Sequence, residues 1–95
     1  MTTKEMTDHM TLCLREHDLD WREIDDEIVV LDVRDATYLG VRGSGALLWR
    51  LLADSTTRGG LVDALVETYE IDEIRAAGDV DEFLATLDER GLLAS

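Results

Sequence analysis

The stretch that decides the fold is EIVVLDVRDATYLGVR, residues 27–42. Residues 28–33 form a run rich in β-branched side chains, and residues 37–42 form a second strand-like segment. The break at residues 35–36 has the length of a hairpin turn. Another strand-like segment starts upstream at Leu19, so that residues 37–42 form the third strand of the set in chain order. We therefore predict a three-stranded antiparallel meander.

Downstream of Gly43 the apolar period changes from that of a strand to that of a helix. Leucines at 47, 48, 51 and 52 predict a first helix over about residues 45–53, with Ser44 as its N-cap. Thr56 or Thr57 can cap a second helix, whose apolar stripe consists of Leu61, Val62, Leu65, Val66 and Tyr69.

The third helix has the clearest start and end signals. Asp79 followed by Glu82 has the spacing of a capping box, and Gly91 has the place of a C-terminal cap. Ile71 and Ile74 are assigned to a connecting segment that ends at Gly78. The predicted class is α+β, a winged helix-turn-helix with a three-stranded antiparallel sheet followed by three helices. We divide the chain into a flexible or weakly ordered segment over residues 1–18, in which 11–15 could add an edge strand, and a domain over 19–95.

Charge limits the possible partners. The 95 residues contain 9 Lys plus Arg against 22 Asp plus Glu, a formal charge of −13. The second and third helices present mainly acidic side chains, so repulsion from phosphate opposes binding to nucleic acid or to an anionic membrane. The N-terminus shows neither a signal peptide nor an apolar span, and we expect a cytoplasmic protein.

No set of residues suggests catalysis, a metal site or a cofactor. Cys13 is the only cysteine, which excludes an internal disulfide and a cysteine zinc cluster. The acidic residues between 18 and 27 lack calcium-loop spacing and indicate a solvated hairpin edge. The glycines at 43 and 45 lack the lysine of a phosphate loop. We therefore expect a non-enzyme that binds through its surface.

The order of these motifs resembles the PqqD-like family. The residues that carry the resemblance are IVVLD at 28–32, TYLGV at 37–41, SGALLW at 44–49 and DVDEFL at 79–84. Members of this family are recognition elements for the precursors of ribosomally synthesised, post-translationally modified peptides. Tyr38 followed by Ser44-Gly45-Ala46 is most similar to the discrete leader-binding proteins of lasso-peptide biosynthesis.

The resemblance implies that the leader of a precursor peptide adds as a strand antiparallel to the third strand and rests against the third helix. A leader peptidase and a macrocyclase would then be the other partners. Because the exposed edge of the third strand could pair with a second copy, we expect a monomer or weak dimer. Arg42, where the family commonly has asparagine, could meet an acidic leader residue. Asp79 and Glu82, with Asp81 beside them, would favour a basic leader. The implied peptide-binding residues are Thr37, Tyr38, Leu39, Gly40, Val41, Arg42, Asp79, Val80, Glu82, Phe83, Leu84 and Leu87.

Two alternatives remain open at this stage. The protein could be a PqqD-type peptide chaperone that serves a radical-SAM enzyme, with the same binding mode. From a different class, it could be an acidic protein–protein interaction or dimerisation module. Self-association or a folded partner, in place of a peptide, would distinguish the second alternative.

Overall fold

A computed structural model describes residues 10–94; the first nine residues of the segment 1–18, predicted to be flexible or weakly ordered, lie outside the described residues, as does residue 95. The elements are β1 (Thr11–Leu12), β2 (Leu19–Ile24), β3 (Glu27–Asp32), β4 (Thr37–Arg42), α1 (Ser44–Ala53), β5 (Thr56–Thr57), α2 (Arg58–Tyr69) and α3 (Glu73–Glu89). Strands β2, β3 and β4 form one sheet in that order, and β1 and β5 form a separate two-stranded ribbon.

The predicted meander is confirmed. Strand β3 is central and pairs antiparallel with β2 and with β4, in a register that places Leu31 opposite Tyr38 and Val29 opposite Gly40. Side chains alternate strictly along β3: Ile28, Val30 and Asp32 are buried and the residues between them are half-buried. The sheet therefore has an inner face that packs on the helices and an outer face without a helix among the described residues.

The core lies between the inner face of the sheet and the three helices. Ile28 and Val30 contribute from the sheet, and the fully buried Trp49 contributes from α1. The ring of Trp21 meets that of Trp49 edge to face, with centroids 6.1 Å apart. The buried helical side chains recur every three or four residues: Leu48, Trp49 and Leu52 in α1, Leu61 and Leu65 in α2, and Ala76, Val80 and Leu87 in α3.

Two predicted helix starts are wrong. Ser44 is already the first residue of α1, and the N-cap position is held by Gly43, which has φ 57° and makes no side-chain cap. Helix α3 starts at Glu73, where the Asp72 carboxylate accepts a hydrogen bond of 2.8 Å from the Arg75 amide. Asp79 is therefore inside the helix, and so is Ile74.

The other two termini are confirmed. The Thr57 hydroxyl accepts a hydrogen bond of 3.0 Å from the Gly60 amide and caps α2. Gly91 follows the end of α3 with φ 69°, and the Leu92 amide donates to the Leu87 carbonyl, as in a Schellman motif. None of the helices in residues 10–94 is long and apolar enough to span a bilayer.

Residues 11–15 contact the domain on two sides. Strand β1 pairs with β5, and Leu14, which is buried, bridges to Leu93 near the C-terminus. The Ala94 amide donates to the Cys13 carbonyl at 3.0 Å. The weak strand pattern of residues 11–15 thus corresponds to the short strand β1. It pairs with β5, between α1 and α2, and not with the three-stranded meander.

Candidate functional site

Strand β4 has one free edge. It is the last strand of the sheet, and only its β3 side is paired among the described residues. In an antiparallel strand, alternate residues direct their N–H and C=O groups away from the paired neighbour. The free edge of β4 therefore presents unpaired backbone donors and acceptors in a row that can pair with a further strand.

A groove of about 460 Å³ lies beside this edge, between β4 and α3. Leu39 and Val41 on the inner face of β4 line one wall, and Phe83 and Leu87 of α3 line the other. Gly45 at the start of α1 lies between the walls: a Cβ there would be 2.8 Å from a Val41 methyl carbon and 3.4 Å from the Phe83 ring. The missing side chain thus keeps the groove open at this point.

The groove continues past Leu39 into a smaller depression of about 240 Å³. Thr37 and Tyr38 line it from β4, and Glu89 and Arg90 line it from the end of α3. Leu39 lines both depressions, which therefore lie next to each other along β4, and we refer to the two together as the cleft.

Of the α3 residues predicted to bind peptide, some line the groove and the others belong to the core. Asp79, Glu82, Phe83 and Leu87 line the groove, and of these Leu87 is fully buried. Val80 is fully buried and Leu84 packs against the core, and neither lines the groove. The predicted stripe on α3 therefore divides into a groove face and a core face.

The Tyr38 side chain lies on the other side of the sheet from the groove, although the residue also borders the smaller depression. Because it alternates with Leu39, its side chain belongs to the outer face, where it is 70% exposed. It lines a shallow depression there with Leu31 and Ile24. Tyr38 is therefore not a wall of the main groove, and Tyr69, which the sequence placed on the apolar stripe of the second helix, is also exposed.

Acidic side chains border the groove on the α3 side, where Asp79 and Glu82 form the rim. Arg42 lines the end of the groove at the end of β4, but its side chain belongs to the outer face, where it pairs with Glu27. Asp81 contacts another helix: the Arg58 guanidinium donates to its two carboxylate oxygens at 2.7 and 2.9 Å. Of the three acidic residues expected at the rim, two line the groove.

An ionic cluster supports the far end of the cleft. Arg15 donates to the Asp32 carboxylate at 2.7 Å and to the Gly91 carbonyl at 2.8 Å, and so joins the N-terminal segment, the end of β3 and the end of α3. The hydrogen bond from Arg15 holds the pKa of the Asp32 carboxyl below its ordinary value, against the opposing effect of desolvation. Asp32 also accepts from the Arg34 amide, so this partly enclosed carboxylate is well satisfied.

A second ion pair joins the sheet to α1. The Arg50 guanidinium donates to both carboxylate oxygens of Glu23, at 3.0 and 2.6 Å. These hydrogen bonds lower the pKa of Glu23 and raise that of Arg50. Glu23 is on β2, at the sheet edge opposite the cleft, so this ion pair has a structural role.

Four residues that line the groove were not predicted from the sequence. Ser44, Gly45 and Leu48 line it from α1, and Thr86 lines it from α3. Thr86 was predictable, because it lies three residues after Phe83 on the same helical face. Among residues 10–94, no group of three or more His, Cys, Asp and Glu side chains has the geometry to hold a metal ion.

Comparisons with known proteins agree with this architecture. The structure of TbiB1 in complex with the TbiA(beta) leader peptide matches with a TM-score of 0.80 and 30% identity, over 84% of this chain and 93% of TbiB1. The structure of lasso peptide synthetase B1 complexed with the leader peptide has the same fold, with a TM-score of 0.79 at 24% identity over 88% and 98% of the two chains. No curated protein matches the chain. Residues 27–93 match the family described as coenzyme PQQ synthesis protein D. Because that match covers most of the chain, the protein belongs to the PqqD family.

Proposed function

We propose that this protein is a non-catalytic recognition element that binds the leader of a ribosomally synthesised precursor peptide. The leader adds as a strand antiparallel to β4 and rests against α3. The observation that carries the proposal is the coincidence of a free strand edge with an apolar groove along it, lined by Phe83 and Leu87. Strand pairing supplies affinity that tolerates sequence variation, and the groove selects particular side chains.

The other edge of the sheet is a poorer site for an added strand. Strand β2 carries Asp20, Arg22 and Glu23, and charged side chains of this kind discourage edge-to-edge pairing. Strand β4 has only Arg42 as a charged residue and a glycine at position 40. The composition of the two edges thus favours β4.

Two similar structures support a leader peptide as the occupant. TbiB1 and lasso peptide synthetase B1 were each solved with a leader peptide bound. By this likeness we assign the protein to a lasso-peptide type of pathway, in which it presents the leader to a leader peptidase and a macrocyclase. A tethered leader raises the effective concentration of the precursor at the processing enzyme.

The direct test is fluorescence polarisation with a labelled leader from the precursor encoded beside this gene. Phe83→Ala removes a groove wall, and we expect affinity to fall by about 5- to 30-fold, the range for loss of an interface anchor. Tyr69→Ala is the matched control, because Tyr69 is an exposed aromatic residue on α2 outside the groove. Equal affinity of the two variants would contradict the proposed site.

The presentation role needs a second measurement. With the peptidase of the same gene cluster, cleavage of the precursor at sub-saturating protein should slow in Phe83→Ala by the factor measured for binding. Cleavage at an unchanged rate would limit the function to binding. A radical-SAM enzyme that required the same groove would instead favour the PqqD-type chaperone.

A further inference from the structure

The outer face of β4 carries a carboxylate close to its free edge. Glu27 starts β3 and lies opposite Arg42 in the register, yet its side chain leans along the sheet toward Gly40. Its Oε2 atom is 2.8 Å from the position that a Cβ on Gly40 would occupy. The missing side chain at Gly40 is therefore what gives this carboxylate its place over β4.

One oxygen of Glu27 is engaged and the other has no hydrogen bond among the described residues. Arg42 donates a long hydrogen bond of 3.3 Å to Oε1. The Arg42 side chain is 78% exposed and the Glu27 side chain is 36% exposed. The Oε2 atom is the one above Gly40. A carboxylate accepts several hydrogen bonds, so Glu27 retains capacity for a cationic partner.

A strand added to β4 would place one of its residues beside this carboxylate. Residues directly opposite each other in antiparallel strands direct their side chains to the same face, with Cβ atoms about 4.5–5.5 Å apart. The leader residue opposite Gly40 would therefore lie on the outer face, while its two neighbours would face Leu39 and Val41 in the groove. A lysine or arginine at this leader position can reach back across Gly40 to Oε2.

We infer that Glu27 is a specificity-determining residue, which selects a lysine or arginine at the leader position opposite Gly40. The inference rests on the proposed function, since it requires a strand on β4. The net charge of −13 adds a general preference for a basic peptide, but only Glu27 ties that preference to one position in the register. Arg42 remains largely hydrated, which weakens its repulsion of a second cation.

The test is a positional scan of the leader encoded beside this gene. Each residue of the labelled peptide is replaced in turn by lysine and by glutamine, and both affinities are measured by fluorescence polarisation at low ionic strength. At one position we expect lysine to bind about two- to fivefold more tightly than glutamine, the size of an exposed ion pair. The residues on either side of that position should be those whose replacement by alanine weakens binding most.

Glu27→Gln should reduce the lysine preference at that position to no preference. Asp88→Asn, a change at an exposed acidic residue of α3 outside the groove, should leave the preference intact. If the unmodified leader binds but no position shows a preference that depends on Glu27, the inference is wrong and the proposed function stands. If the leader fails to bind at all, the proposed function fails and this inference fails with it.

Discussion

Replacing Gly78 with alanine should stabilise the protein, because the structure makes this glycine an interior residue of α3. A Cβ at position 78 would have no atom within 4 Å, so the added methyl group meets no steric obstacle. Glycine in a helix interior is less favourable than alanine by about 1 kcal/mol. In practice such replacements stabilise by about 0.4–1 kcal/mol, partly by restricting the unfolded chain.

The assay is thermal and urea unfolding followed by circular dichroism. For a domain of this size, 1 kcal/mol corresponds to about 4–8 °C in Tm, so we expect a rise of about 2–8 °C. Gly91→Ala is the matched control: the residue has φ 69°, and an alanine held in that region costs about 1–2 kcal/mol. Leader affinity should not change in Gly78→Ala, because residue 78 does not line the groove.

The refuting result is a Gly78→Ala variant that is unchanged or less stable than the parent, alongside a destabilised Gly91→Ala variant. That outcome would mean that the helix is interrupted at residue 78 and begins at Asp79, as the capping-box pattern indicated. The position of Phe83 relative to β4 would then have to be reconsidered, since α3 holds it there.

Three further predictions concern the acid response, the groove rim and the N-terminal segment. Because Arg15 lowers the pKa of Asp32, the stability from this pair is complete above the ordinary carboxyl value of 3.8 and is lost as the pH falls through the lower folded value. Asp32→Asn should therefore be less stable at neutral pH but lose less stability between pH 5 and 2 in urea titrations, and a parallel loss in both proteins would contradict the assignment. Glu82→Gln should reduce the salt dependence of leader association measured by stopped flow, and Asp88→Asn should reduce it less; identical salt slopes would exclude a role for the rim. Leu14→Ala should cost about 2–4 kcal/mol in urea unfolding, as for a buried leucine, whereas a cost below about 0.5 kcal/mol would show that residues 11–15 are only loosely attached.

Local sequence signals predicted the meander because the strands are short and are joined by short turns. In addition, apolar side chains recur in the strands with the spacing expected for a buried sheet face. The six residues of β4 coincide with the predicted third strand. Thr57 and Gly91 were identified because a cap depends on one side chain or one backbone conformation. Such signals depend only on residues adjacent in the sequence, so they can be recognised without knowledge of the tertiary structure.

The start of α3 was missed because Gly78 and the pattern at Asp79 together suggested a boundary. What overrides them is packing: Ala76 is fully buried on the same helix as Val80, and Asp72 provides a cap about two turns before Asp79. Tertiary burial of this kind outweighs a local preference of about 1 kcal/mol.

The sequence predicted that the candidate site lies between β4 and α3, but it did not predict which side chains make contact there. Tyr38 could be placed on the correct strand, yet the face to which it points depends on the inner and outer sides of the sheet, which only the packing of the helices defines. The positions of Gly45 between the groove walls and of Glu27 over Gly40 depend on contacts between elements, and no local pattern indicates them.

The measurement that tests the central claim most directly is hydrogen–deuterium exchange with and without saturating leader peptide. If the leader adds as a strand, the amides of β4 that point away from β3 gain hydrogen-bond partners, and peptides covering Thr37–Arg42 should exchange more slowly. Fragments covering β2 should be unchanged, because that edge stays free. Protection at β2 or at the helices, with β4 unaffected at full occupancy, would contradict the account.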